Sequence, residues 1–221
     1  MTSTKRLAGE ALGTALLLAT VVGSGIMGER LSGGNMAIAL LANSLATGAA
    51  LVALILTFGP VSGAHFNPVV TLCDAVLGNR SWKEIPGYIA AQTVGAIAGV
   101  IAAHAMFALP LVTASTHVRT GAAQWWSEIV ATFGLVLVIF ACVRSKTTFT
   151  PFAVGLYITA AYWFTASTSF ANPAVTLARS MTDTFSGIRP DDVPGFIAAQ
   201  MIGALAAIAT VRWMMPVNEQ P

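Results

Sequence analysis

The sequence predicts an all-α membrane protein with six transmembrane helices and two re-entrant half-helices, arranged as an inverted internal repeat. Three observations predict this fold. Hydrophobic residues make up 56% of the 221-residue chain and charged residues only 9%, against about 25% charged residues in soluble domains. Six apolar segments are long enough to cross a bilayer, which takes about 17 to 25 residues. Finally, Asn-Pro-Val-Val-Thr-Leu at 67–72 returns as Asn-Pro-Ala-Val-Thr-Leu at 172–177.

The apolar segments give the order of the long helices. They lie at residues 7–27, 37–58, 86–108, 123–143, 150–168 and 193–215. The first segment is too long for the apolar core of a cleavable signal peptide. Its Glu10 and its Gly-x-x-x-Gly spacing from Gly9 to Gly13 favour a packed helix instead. We therefore expect the amino terminus to stay attached.

A second pair of matching segments supports the duplication. Pro-Gly-Tyr-Ile-Ala-Ala-Gln at 86–92 is answered by Pro-Gly-Phe-Ile-Ala-Ala-Gln at 194–200. Each half contains three spans, and an odd number of crossings inverts the second copy relative to the first. We expect a single domain over residues 1–221, made of two inverted repeats at about 1–108 and 118–221.

The repeated Asn-Pro pairs predict two half-helices, at 67–77 and 172–182. Each segment would be roughly 16 Å long as a helix, about half the thickness of the hydrocarbon core. Asn is a favoured N-cap and Pro a favoured first helical residue, so each pair is expected to begin a helix. Lipid would leave the first N–H groups of these helices unsatisfied, so both starts must line a cavity that holds water or solute. The repeat therefore predicts a pore.

The distribution of positive charge predicts the orientation of the helices, because cytoplasmic segments carry an excess of Lys and Arg. With the amino terminus inside, the cytoplasmic segments contain Lys5, Arg6, Arg80, Lys83, Arg144, Lys146 and Arg212, and the outer segments contain Arg30, Arg119, Arg179 and Arg189. This bias predicts that both termini are cytoplasmic, in a plasma or inner membrane.

The segment Ser-Gly-Ala-His-Phe-Asn-Pro-Val-Val-Thr-Leu at 62–72, with the second Asn-Pro-Ala at 172–174, resembles the major intrinsic protein family of aquaporins and aquaglyceroporins. The resemblance extends over nearly the whole chain. It implies a homotetramer in the lipid bilayer, with one pore per subunit that conducts water or small uncharged solutes passively. The pore centre that it implies consists of Asn67, Pro68, Val69, Asn172, Pro173 and Ala174.

The departures from the family pattern predict a permissive pore. Val69 stands where the family has Ala, and we expect only a minor packing change there. Val175 stands where the family usually has the selectivity-filter Arg, and Arg179 is roughly 6 Å further along the helix, at the expected pore mouth. The filter that the resemblance implies consists of Thr47, Tyr162, Ser169 and Val175. Such a filter is wider and less polar, as in aquaglyceroporin-like bacterial channels, including a branch associated with arsenic detoxification.

Five further titratable residues stand out. Ionisable groups within a membrane are candidates for functional sites, because an unpaired charge there is costly. The family resemblance instead implies that Glu10 and Glu128 brace the half-helix loops. His65, two residues before the first Asn, is expected to line the pore, with a satisfied loop histidine as the alternative. His104 and His117 are expected to be structural or solvated.

Other functional classes are disfavoured. The net charge of +2 is too small for a nucleic-acid surface. Cys73 and Cys142 lie far apart with no Cys/His grouping, so no metal site is expected. The Gly-x-Gly-x-x-Gly at 23–28 follows no strand and is not expected to bind a nucleotide cofactor. No cofactor is predicted, and the absence of a nucleophile and base constellation argues against an enzyme.

The sequence therefore predicts a passive channel for small uncharged solutes, which include water, glycerol, urea and metalloid hydroxides such as arsenous acid. A strict water channel is one alternative. An ion-coupled transporter is another, because inverted repeats and broken helices also build transporters. The Glu10 and Glu128 pair is the feature that best supports that alternative.

Overall fold

The computed structural model describes residues 2–215, and in this range all regular secondary structure is helical and there is no strand. The helices are α1 Ser3–Leu31, α2 Met36–Ser62, α3 Pro68–Val76, α4 Ile85–Met106, α5 Ala122–Arg144, α6 Thr150–Phe164, α7 Pro173–Arg179 and α8 Val193–Met214. Short 3-10 turns precede α4 and α8. The predicted all-α fold is confirmed. The chain ends, for which a cytoplasmic position is predicted, include residues 1 and 216–221 outside the described range.

Five of these helices, α1, α2, α4, α5 and α8, are long and apolar enough to cross a membrane. The fifth predicted span, 150–168, corresponds to the shorter α6, which has 15 residues. That helix ends at Phe164 because the chain then enters an irregular segment in which Thr168, Ser169 and Ala171 have positive φ. These left-handed residues cannot continue a right-handed helix.

The two halves pack in the same way. In the first half α1 packs against α2 and α4, and in the second half α5 packs against α6 and α8. Glycines permit the closest crossings: a Cβ on Gly95 would lie 2.2 Å from the Ala11 carbonyl oxygen, and one on Gly203 would lie 2.3 Å from that of Ile129. Small residues at the contact let the two backbones approach closely, as is typical of helix crossings in membranes.

Both predicted half-helices form, and the Asn-Pro pairs begin them. Asn67 caps α3 by accepting a hydrogen bond from the Val69 N–H, and Asn172 caps α7 by accepting from Ala174 and Val175. Proline at the first position has no N–H to satisfy, which suits the start of a helix. α7 ends at Arg179, earlier than the predicted 182, because the chain turns back there and Ile188 N–H bonds the Arg179 carbonyl.

Candidate functional site

The two half-helices meet through reciprocal hydrogen bonds of their capping residues. The Asn67 side-chain amide donates to the Ala171 carbonyl at 2.8 Å, and the Asn172 amide donates to the Phe66 carbonyl at 2.8 Å. Each carboxamide oxygen is already used to cap its own helix. An Asn amide has two N–H donors, so each side chain keeps one donor that no group of residues 2–215 occupies.

In the first half, Glu10 holds the segment that precedes the cap. One of its oxygens accepts from the Ser62 hydroxyl at 2.6 Å and the His65 N–H at 3.0 Å. The other accepts from the Phe66 N–H at 2.7 Å and the Gln92 amide at 2.8 Å. This carboxylate is fully buried and its charge is balanced by four donors, so the irregular backbone keeps its N–H groups satisfied.

In the second half, Glu128 makes the matching set of bonds. It accepts from the Ser167 hydroxyl, the backbone N–H groups of Phe170 and Ala171, and the Gln200 amide, at 2.6 to 2.9 Å. The two halves differ in the side chains that pack next to these carboxylates. The Phe66 ring lies against Gly13, where a Cβ would come within 2.0 Å of it. The equivalent residues of the second half by sequence offset are Ala171 and Ala131, both buried.

One cavity of about 150 Å³ runs along the half-helices, from Asp74 and His65 at one end to Arg179 and Phe170 at the other. Asn67 and Asn172 both line it. Stripes of side chains spaced four residues apart face the cavity from four helices: Leu17 and Val21 on α1; Thr47, Leu51 and Ile55 on α2; Leu135, Ile139 and Val143 on α5; Thr150, Val154, Ile158 and Tyr162 on α6. The cavity is therefore mostly apolar, with polar groups concentrated along one wall and at its ends.

All four residues predicted for the filter line this cavity near the Arg179 end. The Thr47 hydroxyl lies 3.3 Å from the Tyr162 hydroxyl. Ser169 and Val175 are buried, and the Ser169 hydroxyl has no hydrogen-bond partner among the described residues. The structure thus brings these residues together, while their role as a filter stays a prediction.

Arg179 also lines the cavity, but it is more enclosed than a residue at a pore mouth. Only 2% of its surface is exposed. Its Nε donates to the Ser186 carbonyl, and its guanidinium lies 3.4 Å from the centre of the Phe170 ring. This arrangement is a cation–π contact within a buried wall.

The opposite end of the cavity carries an acidic residue, Asp74, that the sequence reasoning missed. Its carboxylate lies 3.4 Å from His65 Nε2 and accepts from Arg80 Nε at 3.2 Å and from the Asn79 amide at 3.1 Å. His65 lines the cavity, as expected. Asp74 could have been found from spacing, because it lies seven residues after Asn67, on the same face of α3 as the N-cap.

The remaining titratable residues are placed as follows. His104 is buried and both its ring nitrogens have partners, the Pro110 carbonyl at 2.6 Å and the Thr182 hydroxyl at 2.7 Å. His117 is exposed. Cys73 and Cys142 are unpaired thiols. Over residues 2–215, no group of three or more His, Cys, Asp or Glu side chains is placed to hold a metal ion.

Comparisons with known proteins agree with this geometry. The family model described as "Major intrinsic protein" matches residues 1–168 and 147–220. Aquaglyceroporin AqpS of Rhizobium meliloti (strain 1021) is 58% identical over 212 residues, covering 96% of this chain and 91% of the relative. Probable aquaporin NIP7-1 of Arabidopsis thaliana is 28% identical over 208 residues, covering 92% and 74%.

A solved structure has the same fold. The X-ray structure of the aquaglyceroporin from Plasmodium falciparum aligns with a TM-score of 0.77 and covers 98% of both chains. At 22% sequence identity, this similarity supports the architecture alone. It agrees with an arrangement of long helices and two half-helices.

Proposed function

Because the chain belongs to the major intrinsic protein family of passive membrane channels, we propose that it conducts small uncharged solutes of the aquaglyceroporin class: glycerol, urea, metalloid hydroxides such as arsenous acid, and water. The family consists of channels and not of enzymes, so the prediction that this protein is not an enzyme is confirmed. It is an integral membrane protein. The observation that carries the solute proposal is the cavity that both Asn side chains and Val175 line.

The mechanism follows from the hydrogen bonds at the middle of the cavity. An uncharged solute that enters a narrow apolar passage must replace the hydrogen bonds that it made with water. Asn67 and Asn172 each offer one free N–H donor there. A solute or water oxygen that accepts both donors has its lone pairs occupied, and this interrupts a chain of water molecules through which protons would pass.

The apolar stripes limit which solutes pass. The aliphatic members of the stripes, such as Leu51, Val154 and Ile158, supply no hydrogen bonds to hydrated ions, for which removal of water is costly. A neutral polyol or hydroxide can turn its hydroxyl groups to the polar wall and its less polar side to the stripes. Val175 adds neither charge nor a donor at the filter, so that Thr47, Tyr162 and Ser169 remain as its polar groups.

Glu10 and Glu128 serve as braces and not as proton carriers in this proposal. Each carboxylate has two donors on each oxygen, so no lone pair faces the cavity unpaired. A carrier in an ion-coupled transporter must gain and lose a proton during transport. Protonation here would break bonds that hold the half-helices, so the passive channel is favoured over the transporter.

The remaining parts of the proposal concern assembly and orientation. We expect one domain of two inverted repeats, a homotetramer with one pore per subunit, and both termini in the cytoplasm of a plasma or inner membrane. The Arg179 end of the cavity is then the outer end. Large apolar side chains such as Leu45, Leu56, Val94 and Leu156 are exposed on several helices, as expected for surfaces that face lipid or a neighbouring subunit.

Solute-resolved flux into proteoliposomes tests the proposal. Purified protein is reconstituted at a known density, and swelling is followed after mixing with gradients of glycerol, urea or arsenous acid and, separately, with an impermeant osmolyte to measure water. We expect solute permeabilities clearly above those of protein-free vesicles. Water permeability without any solute permeability would favour the strict water channel instead.

A further inference from the structure

The cavity wall contains a buried cation, Arg179, that forms no ion pair within residues 2–215. Arg179 makes one hydrogen bond, from Nε to the Ser186 carbonyl, and stacks on Phe170. Its two terminal NH₂ groups have no acceptor in the part of the chain that the structure describes, and no carboxylate there forms an ion pair with it. A guanidinium that is buried and unpaired in this way is costly, and such charges in proteins are normally paired.

A second guanidinium lies beside the same ring. Arg119 is 5.1 Å from the centre of Phe170 and donates to the Gly187 carbonyl at 2.7 Å and the Ser167 carbonyl at 3.2 Å. Its side chain also forms no ion pair with a carboxylate of residues 2–215. Glu128 attracts both guanidinium groups electrostatically, but it forms an ion pair with neither, because its oxygens are occupied by four other donors. Neither guanidinium at this end of the cavity therefore has an ion-pair partner in residues 2–215.

The equivalent position in the first half is occupied by a charged residue that has its partners. Asp74 lies seven residues after Asn67, as Arg179 lies seven residues after Asn172. Both side chains line the cavity, one at each end. Asp74 is surrounded by His65, Asn79 and Arg80. Arg179 contacts one carbonyl group and one aromatic ring. The two halves therefore differ, because Asp74 has positively charged and hydrogen-bonding partners and Arg179 has no carboxylate partner.

We propose that the Arg179 end of the cavity is a binding site for a small monovalent carboxylate anion of the formate class. The terminal NH₂ groups of Arg179 form a planar fork that matches the two oxygens of a carboxylate. The hydroxyl of Ser169, which lines the same cavity without a partner, is a further donor. Phe170 and Val175 supply apolar surface beside them. The anion supplies the direct ion-pair partner that Arg179 lacks, and it occupies the path of the uncharged solutes.

Direct binding to the purified protein in a zwitterionic detergent tests this site. The probe is ¹³C-labelled formate at pH 7.5 and low ionic strength, and the readout is the concentration-dependent broadening of its NMR signal. Formamide is the matched neutral probe, because it has nearly the same size and shape without the charge. Neither measurement depends on which solute the channel conducts, so failure of the solute proposal would leave this test intact.

Two variants locate the site. Arg179→Gln removes the charge and the fork. Arg30→Gln is the matched control, because Arg30 also stacks on a phenylalanine, Phe107 at 5.2 Å, and donates to its carbonyl at 3.4 Å, but is exposed. We expect saturable broadening of formate by wild type and by the Arg30 variant. Binding by Arg179→Gln should be about tenfold to a hundredfold weaker, the usual loss for a hydrogen bond to a charged group.

Three results would overturn the proposal: no saturable formate signal with folded wild-type protein, equal signals for formate and formamide, or equal formate affinity in wild type and Arg179→Gln. Gel filtration and a thermal transition verify the folding of each variant. If Arg179→Gln does not fold, the comparison of formate with formamide on wild type still shows whether the site prefers the anion, and Arg179→Lys provides a second variant. Lysine keeps one charge without the fork, so its affinity for formate should fall between the other two.

Discussion

Replacing Val175 with Arg should narrow the channel and change its selectivity. Val175 is 6% exposed and lines the cavity close to the proposed filter. An arginine there adds a charged group with five N–H donors where a short apolar side chain now stands. Solutes larger than water lose room, whereas water still fits beside the guanidinium.

The expected size of the effect follows from two terms. Discrimination by a single methylene in an apolar site is worth about 1 to 3 kcal/mol, or roughly tenfold to 200-fold. Arginine adds more than a methylene, so we expect the ratio of glycerol to water permeability to fall at least about tenfold. The new cation would also stand four residues before Arg179 on α7. At an effective dielectric constant of about 20 and a separation of about 6 Å, the two charges repel by roughly 3 kcal/mol.

Two measurements test the expected changes in selectivity and in stability. Stopped-flow swelling of proteoliposomes at equal protein density gives the ratio of glycerol to water permeability, and the thermal transition in detergent gives stability. The double variant Val175→Arg/Arg179→Gln should keep the low ratio while it recovers part of the lost stability. An unchanged ratio in a properly folded Val175→Arg protein would show that the constriction lies elsewhere and that the assignment of the filter is wrong.

Two further predictions concern the supports of the half-helices. Gly13→Ala should lower the free energy of unfolding by about 1 to 3 kcal/mol, because its Cβ would lie 2.0 Å from the Phe66 ring. Gly59→Ala is the control: its Cβ would meet no atom within 4 Å, so it should be neutral or slightly stabilising. Glu128→Gln should cost about 3 to 6 kcal/mol, because two of its four donors would face an NH₂ group that cannot accept a hydrogen bond and the other two would keep only a neutral acceptor. The exposed Glu29→Gln is its control in the same thermal measurement, and equal transitions in the two Glu variants would contradict the bracing role.

The duplicated Asn-Pro motif made the centre of the site predictable from the sequence. An N-cap and a following proline are local signals, and their repetition in an apolar chain requires that the two helix starts share a polar environment. The positions of Asn67 and Asn172 follow from these signals. The reciprocal bonds to Phe66 and Ala171 do not, because they depend on how the irregular segments before the caps are folded.

The ends of the cavity were less predictable. Arg179 was expected at the pore mouth from its distance along a helix, but its burial depends on Phe170 and on the return of the chain at Ser186. Asp74 was missed because a carboxylate near the end of a half-helix resembles a solvated residue in the sequence. Only the packing of His65 and Arg80 around it gives it a place in the wall. Long-range contacts of this kind leave no periodic signal.

The length of α6 illustrates the same limit. Hydropathy predicted a span that continues to 168, because Thr165 to Thr168 are small and adjoin an apolar run. The helix instead ends at Phe164, and the Ser167 hydroxyl and carbonyl bond Glu128 and Arg119. Composition gives the polarity of this segment but not the side chains that it must reach.

The central claim is that solutes move passively through the cavity between Asn67 and Asn172. The most direct test is the uptake of labelled glycerol into proteoliposomes, with and without an imposed proton gradient. We predict that the initial flux is proportional to the glycerol gradient, is the same with and without the proton gradient, and stops when the concentrations are equal. Accumulation of glycerol inside the vesicles against its own gradient would contradict this account and would indicate an ion-coupled transporter.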